Sequence, residues 1–232
     1  MYLTVFPTDV MFSTTERPRP QSASMDLPQR LKQAIAETHD AIEALPVSKA
    51  ILEGRISRAT YRELLSQLWY VHADLERLLL TARDLVGLVE RTMHRTNAIV
   101  ADLTALEMDI APIQPTTTRT LHAMRAAAQA SPWAVLGCLY VLEGSRMGSM
   151  VLVKPLSFAL KVELRPGCGL DYHLEGMESR PRDWAAFKGR LSALELDDDQ
   201  IQHTLQGAQL MMQGLYAIYE AQSNATIACS NN

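Results

Sequence analysis

Hydrophobic residues recur at helical spacing along most of this chain, and this periodicity limits the possible fold more than any other feature. The clearest stripe follows Ser57, a good helix N-cap, and comprises Tyr61, Leu64, Leu65, Leu68, His72, Leu75 and Leu79. Residues three and four positions apart share one face of an α-helix, so this stripe can be buried against other helices. Alternating strand patterns and Asn-Gly or Asp-Gly hairpin turns are absent from Asp26 onward. The sequence therefore predicts an all-α, single-domain helical bundle.

Proline and N-cap residues divide the chain into a helical domain at 26–222, a disordered leader at 1–25 and a flexible tail at 223–232. The leader contains three prolines and many Ser and Thr residues, a composition that packs poorly. Helices are predicted from Asp26 to Pro46, from Ser57 to Leu79, over 83–108 with a break near Arg95, and over 117–130, 132–160, 182–195 and 198–221. A loop rich in Gly and Pro is predicted over 166–176.

Composition excludes several classes of protein. The 232 residues are 47% apolar and 21% charged, which is typical of globular domains, and the formal net charge of −4 argues against nucleic-acid binding. The three cysteines, Cys138, Cys168 and Cys229, have no CxxC spacing, so we expect a reducing cytoplasm without disulfides or a thiolate metal site. The longest apolar run, from Trp133 to Leu142, is shorter than the roughly 18 residues that cross a bilayer, so no membrane span is predicted.

His39 is the first candidate for chemistry, because Lys32 and Glu43 lie on the same side of its helix. An imidazole that binds a metal commonly donates its other N–H to a carboxylate, and Glu43 is placed one turn away to accept it. Lys32 is placed to contact an anionic group of a ligand. The competing interpretation is an ordinary amphipathic helix with Lys and Glu at its solvent border.

Gly144 and Gly148 are the second candidate, since they interrupt a long apolar helix one turn apart. Each interior glycine destabilises a helix by roughly 1 kcal/mol relative to alanine, so the pair requires a reason. One reason is the close approach of a flat ligand to the backbone. The other is close packing between helices.

Two segments resemble the heme oxygenase family. The first comprises LKQAIAETHDAIE (Leu31–Glu43) with LEGRISRATYRELLSQLWYVHADLE (Leu52–Glu76), and is similar to the stretch around that family's proximal histidine. The second, LGCLYVLEGSRMGSMVL (Leu136–Leu152), is similar to the family's distal helix as written in its soluble bacterial members. The resemblance covers about residues 30 to 220 and implies heme b held between a proximal and a distal helix.

The resemblance also implies roles for individual residues. His39 corresponds to the iron ligand, Glu43 to its hydrogen-bonding partner and Lys32 to a contact for a heme propionate. Gly144 and Gly148 correspond to the distal glycines, with Ser145 between them in the catalytic segment. In the helix near Arg182, Lys188 and then Arg190 match further basic contacts to the propionates. Ser145 stands where animal members have a carboxylate, and Ser149 stands where a glycine is frequent.

The resemblance predicts an enzyme that opens heme to biliverdin and releases iron and carbon monoxide, using dioxygen and external electrons. No GxGxxG fingerprint is present, so a ferredoxin or a flavoprotein reductase should donate the electrons, and a phytochrome is a candidate user of biliverdin. A heme or tetrapyrrole carrier or sensor of the same fold is the alternative, and a helical interaction module without heme is the third hypothesis. Cys138 is expected to be a buried inert thiol, which disfavours a thiaminase-like nucleophile.

Overall fold

The computed structural model describes residues 25–90 and 93–230, with side chains through Ser223. All regular secondary structure in these residues is helical, which confirms the all-α prediction. The α-helices are α1 (Leu27–Ala44), α2 (Pro46–Leu52), α3 (Arg58–Thr81), α4 (Thr96–Ala105), α5 (Pro115–Ala130), α6 (Pro132–Leu160), α7 (Asp171–Leu174), α8 (Arg180–Ser192) and α9 (Asp198–Ser230). A 3₁₀ turn at Arg83–Leu85 follows α3.

Side-chain caps begin several helices where the sequence predicts them. The carboxylate of Asp26 accepts a hydrogen bond from the backbone N–H of Gln29, whose side chain in turn accepts from the backbone N–H of Asp26. Ser57 caps α3 by accepting a hydrogen bond from the backbone N–H of Thr60, and Ser131 caps α6 by accepting one from the backbone N–H of Trp133. These bonds satisfy N–H groups that the first turn of a helix leaves without partners, so the starts of these helices are local properties of the sequence.

Four boundaries differ from the sequence prediction. Pro46 not only ends α1 but also begins α2, because proline is well tolerated at the first position of a helix. The described residues between Arg83 and Arg95 form turns instead of a helix, and the carboxylate of Glu76 accepts hydrogen bonds from the backbone N–H groups of Arg95 and Thr96. The predicted loop 166–176 contains the short α7, and α9 continues to Ser230 instead of ending near residue 221. The predicted leader lies outside the described residues except for exposed Met25.

The long helix α6 runs through the core of the bundle and packs closely on α9. A Cβ atom added at Gly137 would overlap the carbonyl oxygen of Thr204, and one added at Gly207 would overlap the carbonyl oxygen of Ala134. Glycine at these two positions therefore lets the two backbones approach each other directly. The crossing fixes the position of α6 relative to α9, and both helices contribute walls to the cavity described below.

By length and composition, α6 is the one helix among the described residues that could cross a membrane. However, 61% of its most apolar window is buried inside the bundle. A helix that is apolar on all sides is expected at the centre of a large helical domain, where every face contacts other helices. The apolar character of α6 is thus explained by its central position.

Candidate active site

A cavity of about 780 Å³ lies between α1, α6, α8 and α9 and opens to the surface. Most of its wall is apolar and includes Ile35 and Ile42 from α1, Val141 from α6, and Met212 and Leu215 from α9. Volumes of this order are typical of sites for cofactors and other organic ligands, which combine an apolar wall with a few polar groups. The polar groups here come chiefly from the segments that the sequence analysis identified.

One wall of the cavity is formed by α1, which brings Lys32 and His39 to the same side. His39 is half-exposed, and its Nδ1 lies 3.7 Å from Oε1 of Glu43 and 3.9 Å from Oδ1 of Asp40. Both distances exceed a hydrogen bond, although they permit an electrostatic attraction. Glu43 does not itself line the cavity, whereas Asp40 does. Asp40 is not among the residues predicted from the sequence.

Another part of the wall is the middle of α6, where Gly144, Ser145 and Gly148 line the cavity. A Cβ added at Gly148 would meet no atom within 4 Å and would extend into open space, while one added at Gly144 would lie 3.4 Å from the ring of Trp184. The hydroxyl of Ser145 donates to the carbonyl oxygen of Leu142 at 2.7 Å. At these positions the α6 backbone forms the surface of the cavity, as the ligand interpretation of the glycine pair requires.

The side wall is formed by α8, from which Trp184, Ala185, Lys188 and Gly189 reach the cavity. The ammonium nitrogen of Lys188 lies 5.6 Å from the centroid of the Trp184 ring, a cation–π distance. Arg190 is not among the lining residues. Its guanidinium lies 2.7 Å from the carboxylate of Glu90, because two positions along a helix turn the side chain to a different face. The structure thus brings Lys188 to the site but not Arg190.

The rim of the cavity contains polar residues that the sequence analysis missed. The hydroxyl of Tyr140 donates to the carbonyl oxygen of Pro28 at 3.3 Å, and burial, with the nearby carboxylate of Asp26, raises the pKa of this phenol. Ser192 donates a hydrogen bond of 2.8 Å to Asp26 and thereby joins the start of α1 to the end of α8. One signal could have identified Tyr140, because it lies one turn before Gly144 on the same face of the helix.

Behind α6, on the side away from the cavity, buried polar residues form a separate network. Arg146 pairs with Glu143 at 2.7 Å, and Arg180 donates to the carbonyl oxygens of Arg146 and His173. The side chain of Ser149 belongs to this network and does not line the cavity. A serine at position 149, where a glycine is frequent in the family that the sequence resembles, therefore does not narrow the cavity.

His72 is buried in the same region, 3.1 Å from the hydroxyl of Tyr172. Burial lowers the pKa of His72 to about 3, so its imidazole is neutral in the folded protein. This confirms that the stripe of α3 to which His72 belongs is buried against other helices. Cys138 is also buried, with a pKa raised to about 12 by its surroundings, and the expectation of an inert thiol is likewise confirmed.

Comparison with known proteins gives a consistent result. The chain is 30% identical over 193 residues to heme oxygenase PigA of Pseudomonas aeruginosa, covering 82% of this chain and 89% of that protein. It is 23% identical to heme oxygenase 1 of Gallus gallus, covering 84% of this chain and 69% of that protein.

Solved structures share the fold. The heme oxygenase of Leptospira interrogans superposes with a TM-score of 0.76 at 20% identity, covering 85% of this chain and 100% of that one. Heme oxygenase-1 of Synechocystis, solved in complex with heme, gives 0.78 at 16% identity, covering 89% and 96% of the two chains. The family model described as heme oxygenase matches residues 25–216, and the chain therefore belongs to the heme oxygenase family.

Proposed function

We propose that this protein binds heme b in the large cavity and oxidises it to biliverdin, with release of iron and carbon monoxide. The observation that carries the proposal is that α1 and α6 line one cavity. His39 from α1 and the glycines Gly144 and Gly148 from α6 are all among its lining residues. A flat ligand in this cavity would have both an imidazole and a stretch of helix without side chains at its wall.

The residues present fit heme chemically. A porphyrin is apolar over most of its area and carries two anionic propionates, and the cavity combines apolar walls with the cations Lys32 and Lys188. His39 offers a nitrogen ligand, and the neighbouring carboxylates of Asp40 and Glu43 favour an N–H at its other ring nitrogen. Imidazole is also the suitable ligand type, because a thiolate would favour cleavage of the O–O bond.

When bound, heme would supply both the iron that reduces dioxygen and the ring that is oxidised. The protein's own contribution is orientation and access. His39 would hold the iron, and the two lysines would fix the rotation of the ring through its propionates. The absence of a side chain at Gly148 would leave room for dioxygen. The hydroxyl of Ser145, which donates to Leu142, retains its lone pairs to accept a hydrogen bond from water.

Electrons must reach this site from a separate protein, and we propose a ferredoxin or a flavoprotein reductase as the donor. The sequence contains no GxGxxG motif to hold a nicotinamide or flavin dinucleotide. A phytochrome as the user of biliverdin stays a prediction. We further propose a cytoplasmic location, which is supported by the free thiols of Cys138 and Cys168.

The test is an absorption titration of the purified protein with hemin, followed by ascorbate, or by ferredoxin and its reductase, under air. We expect a stoichiometric Soret band that bleaches to the spectrum of biliverdin. The His39→Ala variant should lose the band, while the matched control His122→Ala, at an exposed position on α5, should keep it. A stable band that no reductant bleaches would favour the heme carrier or sensor, and no band at all would contradict both heme functions.

A further inference from the structure

A second surface cavity, of about 320 Å³, lies where the end of α3, the end of α5 and the start of α6 meet. It shares no lining residue with the large cavity proposed to bind heme, the heme site. Its volume is less than half that of the heme site, but within the range of roughly 300–1,000 Å³ that small-molecule sites occupy. The space therefore suits an organic molecule smaller than a porphyrin.

Two arginines give this cavity its charge. Arg77 from α3 and Arg125 from α5 both line it, and no Asp or Glu residue does so within the described part of the chain. Their side chains are 58% and 45% exposed, so a ligand that arrives from solvent can reach both. A guanidinium is always charged in proteins, and its planar fork of N–H groups matches carboxylates and phosphates.

A buried carboxylate holds the two guanidiniums in place. Asp74 does not line the cavity, and its side chain is only 5% exposed. Its Oδ1 accepts a hydrogen bond from Nη2 of Arg77 at 3.0 Å, and its two oxygens accept from Nε of Arg125 at 3.0 and 2.9 Å. One carboxylate compensates only one of the two guanidiniums, so the three groups together remain positive. Arginines that are already fixed lose less side-chain freedom when a ligand binds.

The hydrogen bonds to Asp74 leave several N–H groups of the arginines unused. Arg125 donates only through Nε, and its Nη1 and Nη2 make no hydrogen bond with any described residue. Nη1 of Arg77 is unused in the same sense. Such groups form short, charge-assisted hydrogen bonds with oxyanions. Two arginines from different helices are therefore able to share one oxyanion.

The rest of the cavity wall is mostly apolar. Leu78, Ala82, Ala128 and Val135 contribute to it. Pro132 also lines the cavity, and as the first residue of the 29-residue α6 it brings the partial positive charge of a helix N-terminus to this side. A ligand with an apolar body and one anionic group would match both parts of this surface.

We propose that this cavity binds a small organic oxyanion, a phosphate ester or a carboxylate with an apolar body, through Arg77 and Arg125, while Asp74 keeps the two guanidiniums in position. The apolar body would lie against Ala128 and Val135, so the ligand would bridge α3, α5 and the start of α6. This site is separate from the heme site and does not rest on the proposed function.

The site is tested by NMR titration of the purified full-length protein without added hemin, with phenyl phosphate as the probe. We expect saturable shifts of the Nε–Hε signals of Arg77 and Arg125 and of the methyl signals of Val135. Benzoate and inorganic phosphate are titrated in parallel. Tighter binding of phenyl phosphate than of benzoate would identify a phosphate ester as the ligand class, and the reverse order would identify a carboxylate. No saturable shift with either aromatic probe, or equally tight binding of inorganic phosphate, would overturn the proposal.

Filling the cavity gives a second test that keeps both arginines. Ala128→Phe should lower the affinity for the probe about tenfold or more, because the larger ring occupies the apolar part of the cavity. The matched control Ala126→Phe, at an exposed position of α5 that does not line the cavity, should leave the affinity unchanged. If Ala128→Phe does not fold, Gln129→Phe, at an exposed lining position, replaces it. Wild-type affinity in the folded cavity-filling variant would contradict the site.

Arg125→Lys separates an oxyanion site from general electrostatic attraction. The variant keeps the charge and removes the fork, so we expect an affinity about tenfold lower. Lys188→Met, which removes a cation from the heme site, should leave the affinity unchanged. Binding that is lost in Lys188→Met and kept in Arg125→Lys would place the probe in the heme site and overturn the proposal. Because no step of the test uses hemin, a failure of the proposed heme oxidation would leave this result intact.

Discussion

The ring of Trp184 packs over Gly144, so that a Cβ atom at this position of α6 would lie 3.4 Å from Cη2 of the indole. One turn further along the helix, a Cβ at Gly148 would meet no protein atom within 4 Å and would project into the heme site. The two glycines that look equivalent in the sequence therefore have different surroundings. Gly144 borders the α8 wall, and Gly148 borders open space.

This difference gives a prediction for Gly148→Ala. The variant should be more stable than the wild-type protein by about 0.5–1 kcal/mol, because alanine is the better helix former and its methyl group meets no neighbour. The same methyl group should obstruct the space beside the heme and slow bleaching. Urea unfolding and the hemin assay measure the two effects. A less stable variant with normal turnover would contradict the placement of Gly148 at the cavity wall.

Lys188 and Arg190 provide a second contrast within one helix. Lys188→Met should weaken hemin binding about tenfold, because it removes a cation from the cavity and keeps the aliphatic stem. Arg190→Gln should leave hemin binding unchanged and destabilise the fold by at most about 1 kcal/mol, since it breaks a partly exposed ion pair with Glu90. Hemin titrations of both variants check this, and equal losses of affinity would show that Arg190 reaches the ligand.

Because α6 and α9 cross so closely, one added methyl group at the crossing should have a strong effect on stability, although the position lies outside the heme site. Gly207→Ala should destabilise the protein by about 3 kcal/mol or more, because its Cβ would overlap the backbone of Ala134 and the two helices would have to separate. Gly148→Ala in the same long helix as Ala134 is the matched control. Urea unfolding of both variants measures the difference, and a Gly207→Ala variant of wild-type stability would contradict the close crossing.

Two buried histidines should make the protein sensitive to acid. Burial lowers the pKa values of His72 and His173 to about 3, below the value of about 6.5 in the unfolded chain. At these two histidines the unfolded state therefore binds more protons than the folded state, and their contribution to stability should fall as the pH decreases from about 6.5 towards 3. Asp102 acts in the opposite direction, because burial raises the pKa of its carboxyl to about 7. At pH 5 the loss should be about 2 kcal/mol for each histidine.

Urea midpoints measured between pH 5 and pH 8 check this dependence. His72→Gln should remove the contribution of this histidine, so the midpoint of the variant should fall less between pH 8 and pH 5 than that of the wild-type protein. His122→Gln, at an exposed position, should change with pH as the wild-type protein does. A constant difference between His72→Gln and the wild-type protein from pH 5 to pH 8 would show that His72 is not buried in its neutral form.

Local physical chemistry in the sequence determined most of the helices and part of the site. The caps at Asp26, Ser57 and Ser131 act on N–H groups of their own first turns, so helix starts can be predicted without knowledge of the rest of the fold. Helical spacing likewise placed Lys32 and His39 on one face of α1, and Gly144 and Gly148 on one face of α6.

Only the tertiary structure decided which groups meet across helices. Periodicity defines a face, but the packing of other helices determines what that face contacts, and for this reason Arg190 pairs with Glu90 whereas Lys188 reaches the cavity. The described residues between Leu85 and Arg95 form no α-helix, although the sequence suggests one. The start of α4 that follows is supported by hydrogen bonds that the backbone N–H groups of Arg95 and Thr96 donate to the carboxylate of Glu76. A small cavity in the core is lined by Tyr61, His173 and Tyr219, which come from three helices. Residues so far apart in the chain come together only because side chains from different helices pack closely in the folded core.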